Sequence, residues 1–227
     1  EGAGTEAPVR LGPKKSLAER FGVGLDLGTS YIGASREIDG SSVFIKHERN
    51  AFLSVRCDHV TKDLLTKLKM MYVIPEDIMY VFGRSALDLA TTFNREVQRT
   101  MSYGILNPLE ARSIPMLRLL VQSILWSPRE QGEICCFSMP AAPVDRNQDT
   151  VYHRSVFEGM LKSIGFTPTI IDEGYAVVLS ELAYKDFTGI GVSCGGGLVN
   201  MCAAFKSVPV FSFSISNNRD SIFEYIF

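Results

Sequence analysis

Short apolar runs separated by turn residues open the folded part of the chain. Phe21–Leu27, Tyr31–Arg36 and Ser42–His47 read as three strands of a meander. Gly28-Thr29-Ser30 forms the first turn, and Asp39-Gly40 signals the second. Helical spacing then takes over, with Asp63–Met71 as a short helix and Arg84–Phe93 as a longer one. Ala86, Leu87, Leu89, Ala90 and Phe93 would share one face of the latter. Asn107-Pro108-Leu109-Glu110 has the cap, the first-position proline and the capping-box glutamate of a helix start, while Pro115 offers a second start. Ile114, Leu117, Val121, Ile124 and Leu125 follow at helical spacing.

Glu133–Met139 reads as a buried strand that stops at Pro140. Thr150–Ile164 is an amphipathic helix with Tyr152, Val156, Phe157, Met160, Leu161 and Ile164 on one face, ended by Gly165. Thr167–Ile171 is a strand, and Gly174–Tyr184 is a helix with Ala176, Val177, Leu179, Leu182 and Ala183 as its apolar positions. The last third returns to the opening theme. Ile190–Cys194 and Leu198–Phe205 are strands around Gly195-Gly196-Gly197, and Val210–Ile215 follows a turn at Ser207-Val208-Pro209. Two strand–glycine-turn–strand units thus flank a strand–helix–strand–helix segment, which predicts an α/β fold without short tandem repeats.

Composition narrows the class. The chain has 227 residues, 46% hydrophobic and 21% charged, enough to bury a sizeable core. Residues 1–20 are rich in Gly, Pro and charge and read as a disordered leader, with the folded unit at 21–215, a small inserted subdomain at about 51–103, and an extension at 216–227. A net charge of -2 and pI near 6.0 do not mark a nucleic-acid binder. The best membrane candidate, MLRLLVQSILW, is short and carries Arg118, so no transmembrane segment is expected. Cys57, Cys135, Cys136, Cys194 and Cys202 lack metal-ligand spacing and read as reduced core thiols of a cytoplasmic protein. His47, His59 and His153 form no metal box, and His153 is expected at a solvated or core-edge position. Trp126 and Phe44 are expected in the core.

The chemistry concentrates at the glycine turns. A glycine-rich turn between strands exposes consecutive backbone N–H groups that can cradle a phosphate. Thr29 and Ser30 add hydroxyls, and Asp26, beside a phosphate, is placed to hold Mg²⁺ directly or through its waters. A single such hairpin is equally well a plain tight turn, whereas two joined by strand–helix pairs are harder to dismiss. Neither turn is a Walker P-loop, and neither fits the dinucleotide fingerprint, because a strand rather than a helix follows each.

GLDLGT at Gly24–Thr29, FSMPAAP at Phe137–Pro143, IIDEGYAVVLSEL at Ile170–Leu182 and VSCGGGLVNMC at Val192–Cys202 resemble, in order, motifs of the actin, heat-shock ATPase and sugar-kinase superfamily. Within it, MSYGILNPLEARSIPMLRLLVQSIL is most similar to bacterial and archaeal actins of the MreB and MamK type. The resemblance covers most of Phe21–Ile215. It implies an actin-like (ribonuclease H-like) lobe, a mixed β-sheet flanked by helices, with an inserted subdomain and a second lobe absent or truncated. It implies ATP and Mg²⁺ as ligands and self-association into filaments. Asp26 would hold Mg²⁺ through water, and Gly28, Thr29 and Ser30 would contact the β- and γ-phosphates. Gly195, Gly196 and Gly197 would bind phosphate from the opposite wall, and Glu173 would position the attacking water or the metal shell. Glu173 also has a simpler role, an acidic residue favouring the dipole of the next helix.

Two departures matter. The family's second phosphate motif carries an aspartate where this chain has Ser193, and its closing position, often a hydroxyl, is Leu198. Ser193 cannot supply the negative charge that orients Mg²⁺, so weak or altered hydrolysis is expected. No glycine-rich adenosine motif follows Ile215, so the chain reads as one lobe plus an extension, its partner wall supplied by a missing lobe or an adaptor. Three functions stand at this stage: an ATP-binding filament protein, a non-catalytic scaffold that keeps the fold as a pseudo-ATPase, and, last, a small-molecule kinase, for which no substrate-facing base can be assigned.

Overall fold

The computed structural model describes residues 9–10, 22–39, 42–107, 110–145 and 150–216. The opening strands are β1 (Val9–Arg10), β2 (Val23–Leu27), β3 (Tyr31–Glu37) and β4 (Ser42–Arg49). An inserted unit follows, with β5 (Phe52–Val55), α1 (His59–Lys67), β6 (Tyr72–Val73), β7 (Met79–Phe82) and α2 (Arg84–Thr92). Next come the small hairpin β8 (Met101–Ser102) and β9 (Ile105–Leu106), then α3 (Ser113–Ile124). The chain continues through β10 (Ile134–Met139), α4 (Thr150–Ile164), β11 (Thr167–Asp172) and α5 (Glu173–Glu181). It ends in β12 (Gly189–Cys194), β13 (Leu198–Phe205) and β14 (Val208–Ser216).

The main sheet is mixed, in the order β1-β4-β3-β2-β10-β11. β2, β3 and β4 run antiparallel, whereas β10 lies parallel to both β2 and β11. Alternation along β2 buries Val23, Leu25 and Leu27 on the face covered by α3 and α4, and so turns Gly24 and Asp26 to the other face. The same alternation in β10 buries Cys135 and Phe137 in that core and sends Cys136 and Ser138 to the side of Asp26. The inserted unit packs a separate core, in which Leu53, Leu65, Met79, Val81 and Leu89 are buried.

β12, β13 and β14 form an antiparallel sheet of their own. α5 joins the two sheets by lying on β12 and β13 through glycine. A methyl group at Gly174 would sit 2.7 Å from Cys202 N, and one at Gly191 would collide with Gly174 O and lie 3.0 Å from Val178 N. Backbone cannot yield as a side chain can, so Gly191→Ala should cost about 1–3 kcal/mol, read as a lowered midpoint in chemical unfolding. Wild-type stability in that variant would mean that α5 does not need this close approach.

Several local expectations are corrected. α3 begins at Ser113, six residues beyond Asn107, because Pro115 then falls in the first turn, where no intrahelical N–H is required. Pro108 and Leu109 of the expected start lie outside the described residues, as do Phe21, Gly40, 1–8, 11–20 and 217–227. Val9–Arg10, within the stretch expected to be disordered, pair with Val43 and Ser42. On α4 the buried face is His153, Phe157, Met160 and Leu161, and Tyr152 is exposed. His153 is not at the core edge but fully buried. Its Nδ1 accepts from Leu106 N at 3.0 Å, it packs on Phe157, and burial lowers its pKa to about 4. Only Cys135 and Cys202 are buried thiols, while Cys57 and Cys194 are exposed. Trp126 and Phe44 are partly buried, with Lys46 over the Trp126 ring.

Candidate functional site

The two glycine turns are built alike. Gly28 N donates to Tyr31 O at 2.9 Å, and Gly195 N donates to Leu198 O at 2.9 Å. Each bond closes a tip, Thr29-Ser30 in one hairpin and Gly196-Gly197 in the other. Among the described residues, no protein acceptor meets the N–H groups of these four tip residues. The tips abut. A methyl group on Gly197 would lie 2.5 Å from both Thr29 Oγ1 and Gly104 N, and one on Gly196 would collide with Ser30 Oγ. The glycines therefore serve the approach of one hairpin to the other, besides the turn itself. Thr29 is buried, and its hydroxyl oxygen accepts from Gly104 N at 3.0 Å at the tip of the β8–β9 hairpin.

Asp26 stands exposed beside the first tip. Leu27 N donates to Ser138 Oγ at 3.0 Å, and Ser138 Oγ donates to Asp26 Oδ1 at 2.8 Å. This relay orients the carboxylate and leaves its second oxygen without a protein partner among the described residues. Glu173 opens α5 where β11 ends, next to the N-cap Asp172, whose side chain accepts from Tyr175 N at 2.9 Å. Because β11 pairs with β10 and β10 with β2, the parallel strands carry Glu173 to the same end of the sheet as Asp26. Asn200 Nδ2 donates to Glu173 Oε2 at 2.6 Å, and Ala141 N donates to Asn200 Oδ1 at 3.1 Å. Burial, with the nearby charges of Asp26 and then Asp172, raises the Glu173 pKa to about 7. Ser193, cross-strand partner of Asn200, lines with Asp26, Ser138 and Glu173 a cavity of about 530 Å³ between the main sheet and α5.

Asp26, Glu173 and Ser193 thus line one cavity, and Ser30 meets the Gly196–Gly197 tip where the two hairpins abut, two residues beyond Gly28 and four beyond Asp26. Gly28 and Gly195 use their N–H groups within their own turns, so the donors that stay available come from the tip residues. No three His, Cys, Asp or Glu side chains form a metal-ligand cluster among the described residues. A carboxylate pair plus unpaired amides instead suits a hydrated divalent ion carried by phosphate. Ser138, Asn200 and Asn50 were missed by sequence reading. Each is a polar residue in an otherwise ordinary strand or turn, and only its long-range partner reveals its role.

The Volactin family model matches residues 21–226. The chain belongs to the Volactin family. The fold of this Volactin-family chain is actin-like. It superposes on a protein of the MamK double helical filament at 18% identity and a TM-score of 0.61, covering 91% of this chain and 60% of the other. It superposes on MreB5 of Spiroplasma citri bound to ADP at 16% identity and a TM-score of 0.55, covering 86% of this chain and 52% of the other. The chain therefore spans little more than half the length of these actin-like relatives. No curated protein matches its sequence. No helix among the described residues is long and apolar enough to cross a membrane.

Proposed function

We propose that this chain binds Mg-ATP at its paired hairpin tips and assembles into cytoplasmic filaments, with weak or altered ATP hydrolysis. The observation that carries the reading is the abutment of two turns closed alike, whose tip N–H groups meet no protein acceptor among the described residues, next to the cavity that Asp26 and Glu173 line. The N–H groups of Thr29, Ser30, Gly196 and Gly197 would face phosphate oxygens from both walls. Asp26, held by Ser138, would take a water of the Mg²⁺ shell, and the bound ion would offset the charge of the phosphates. Glu173, held by Asn200 and titrating near neutrality, would orient the attacking water and accept its proton. In this reading 21–215 is the nucleotide-binding unit, 51–103 its inserted subdomain, and contacts to the nucleoside come from a further lobe or an adaptor. Self-association is supported by likeness to the MamK filament protein, and nucleotide binding by likeness to ADP-bound MreB5.

Ser193 favours a second reading, a pseudo-ATPase scaffold that keeps the fold for partner binding. Sedimentation with and without Mg-ATP, with phosphate assayed in the same tubes, separates the two. ATP-dependent pelleting is expected, with slow phosphate release that Ser193→Asp raises by about tenfold or more. Absence of both phosphate release and ATP-dependent pelleting would favour the scaffold. An unchanged rate in Ser193→Asp would mean that Ser193 is not what limits hydrolysis.

A further inference from the structure

The back of the first glycine turn is held by hydrogen bonds, whereas the N–H groups of its tip meet no protein acceptor among the described residues. Gly28 O accepts from Asn50 Nδ2 at 3.0 Å, Thr29 O from Arg99 Nη1 at 3.3 Å, and Ser30 O from Asn50 N at 3.1 Å. Three consecutive carbonyls are thereby drawn to one side. A trans peptide unit is planar, with its C=O and N–H pointing in opposite directions. The Gly28 carbonyl shares its peptide unit with Thr29 N–H, and the Thr29 carbonyl shares its own with Ser30 N–H. Pinning those oxygens backward aims the two unpaired N–H groups forward, and each bond also polarises the N–H at the far end of its peptide. The bond from Arg99 brings a full positive charge behind Ser30 N–H.

Asn50 is fully buried, and both polar atoms of its side chain are engaged. Its Oδ1 accepts from Thr100 N at 3.2 Å and from Thr100 Oγ1 at 2.7 Å, while Arg99 Nη1 also donates to Asn50 O at 3.4 Å. Phe52 and Gln98 exchange backbone bonds immediately beside it, so the bracket is anchored at the root of the inserted unit. A buried asparagine with every polar atom matched is costly to replace and fixes one orientation.

We propose that Asn50 and Arg99 are positioning residues that aim and polarise the Thr29 and Ser30 amides toward the phosphates of a bound nucleotide. The inference rests on the nucleotide reading above and deepens it, since it assigns recognition of the polyphosphate chain to two residues outside the family's motifs. Neither residue touches the ligand. Their effect should fall on polyphosphate binding and spare the nucleoside.

The test titrates the full chain with Mg-ATP, magnesium tripolyphosphate and adenosine, comparing wild type with Arg99→Gln, Arg99→Lys and Asn50→Asp. Thermal unfolding without ligand is followed in parallel. Asn50→Asp keeps the acceptor for Thr100 and sets an oxygen against Gly28 O. Arg99→Gln should weaken Mg-ATP and tripolyphosphate about tenfold, leave adenosine unchanged, and be partly rescued by Arg99→Lys. Asn50→Asp should weaken both polyphosphates at least as much. A loss of tripolyphosphate binding that Arg99→Lys does not rescue, with the ligand-free unfolding midpoint lowered to match, would reveal a merely structural role and overturn the proposal. So would wild-type tripolyphosphate binding in Arg99→Gln, which decides alone if Asn50→Asp does not fold. A wild-type chain that binds neither Mg-ATP nor tripolyphosphate would remove the nucleotide reading itself, and this inference with it.

Discussion

Asp26→Ala is expected to abolish the Mg²⁺-dependent part of ATP binding and leave the chain folded. The side chain projects from the face of β2 that lines the cavity beneath α5, away from Val23, Leu25 and Leu27, so no core contact is lost. Ser138 Oγ keeps the bond it accepts from Leu27 N and loses only its acceptor. A residue that holds a metal through its water shell gives roughly 10- to 100-fold in metal affinity, and the nucleotide carries the metal, so a fall of about 100-fold in Mg-ATP affinity is expected. Calorimetric titration with Mg²⁺ and with EDTA provides the measurement. Wild type should lose most of its affinity in EDTA, and Asp26→Ala should show the weak value in both. A variant that responds to Mg²⁺ like wild type would remove Asp26 from the metal site. The substitution carries a second signature. The Asp26 charge is one cause of the high pKa of Glu173, so removing it should move the Glu173 titration toward lower pH.

Elements whose apolar spacing repeats were legible in the sequence, and elements fixed by distant partners were not. β2, β13 and α4 could be bounded to within a residue or two because alternation or helical spacing runs their full length. β5, β6 and β7 were not resolved as strands. They are two to four residues long, and they are separated by α1 and by turns in which Lys69, Glu76 and Asp77 take positive φ. The buried face of α4 is shifted from the one that apolar spacing predicts because it includes His153, whose Nδ1 finds the N–H of Leu106 only through the fold. At the site, Asp26 and the glycine turns announced themselves through residue type. Ser138, Asn200 and Asn50 did not, since their hydrogen bonds cross 112, 27 and 22 residues respectively, and no local pattern encodes such a span. The separateness of the β12–β14 sheet was hidden for the same reason. The two strand–turn–strand units look alike in sequence, and only pairing shows that they face one another from different sheets.

Glu173→Gln should stabilise the chain at alkaline pH and have no effect in acid. Glu173 titrates at about 7 in the fold instead of 4.5, because burial and then the charges of Asp26 and Asp172 disfavour its ionised form. Below pH 4.5 the carboxyl is protonated whether the chain is folded or not, so it contributes no pH dependence. Between 4.5 and 7 the unfolded chain releases the proton and the folded chain retains it, so stability falls as pH rises. Above 7 the full penalty is present, on the order of 3 kcal/mol. Glutamine keeps an oxygen for Asn200 Nδ2 and removes the titration. His153 has the opposite sign. Its folded pKa of about 4 lies below 6.5, so stability is lost as pH falls through that interval. The two slopes oppose each other between pH 4.5 and 6.5 and flatten the wild-type profile, and Glu173→Gln should expose the His153 slope alone. Urea unfolding at half-unit steps from pH 4 to 8 measures both curves. A constant difference between variant and wild type would mean that the fold does not shift Glu173, which would then be a plain carboxylate at neutral pH. A difference that opens between 4.5 and 7 would give the site a carboxyl able to exchange a proton near neutrality, which is what activation of water requires of it.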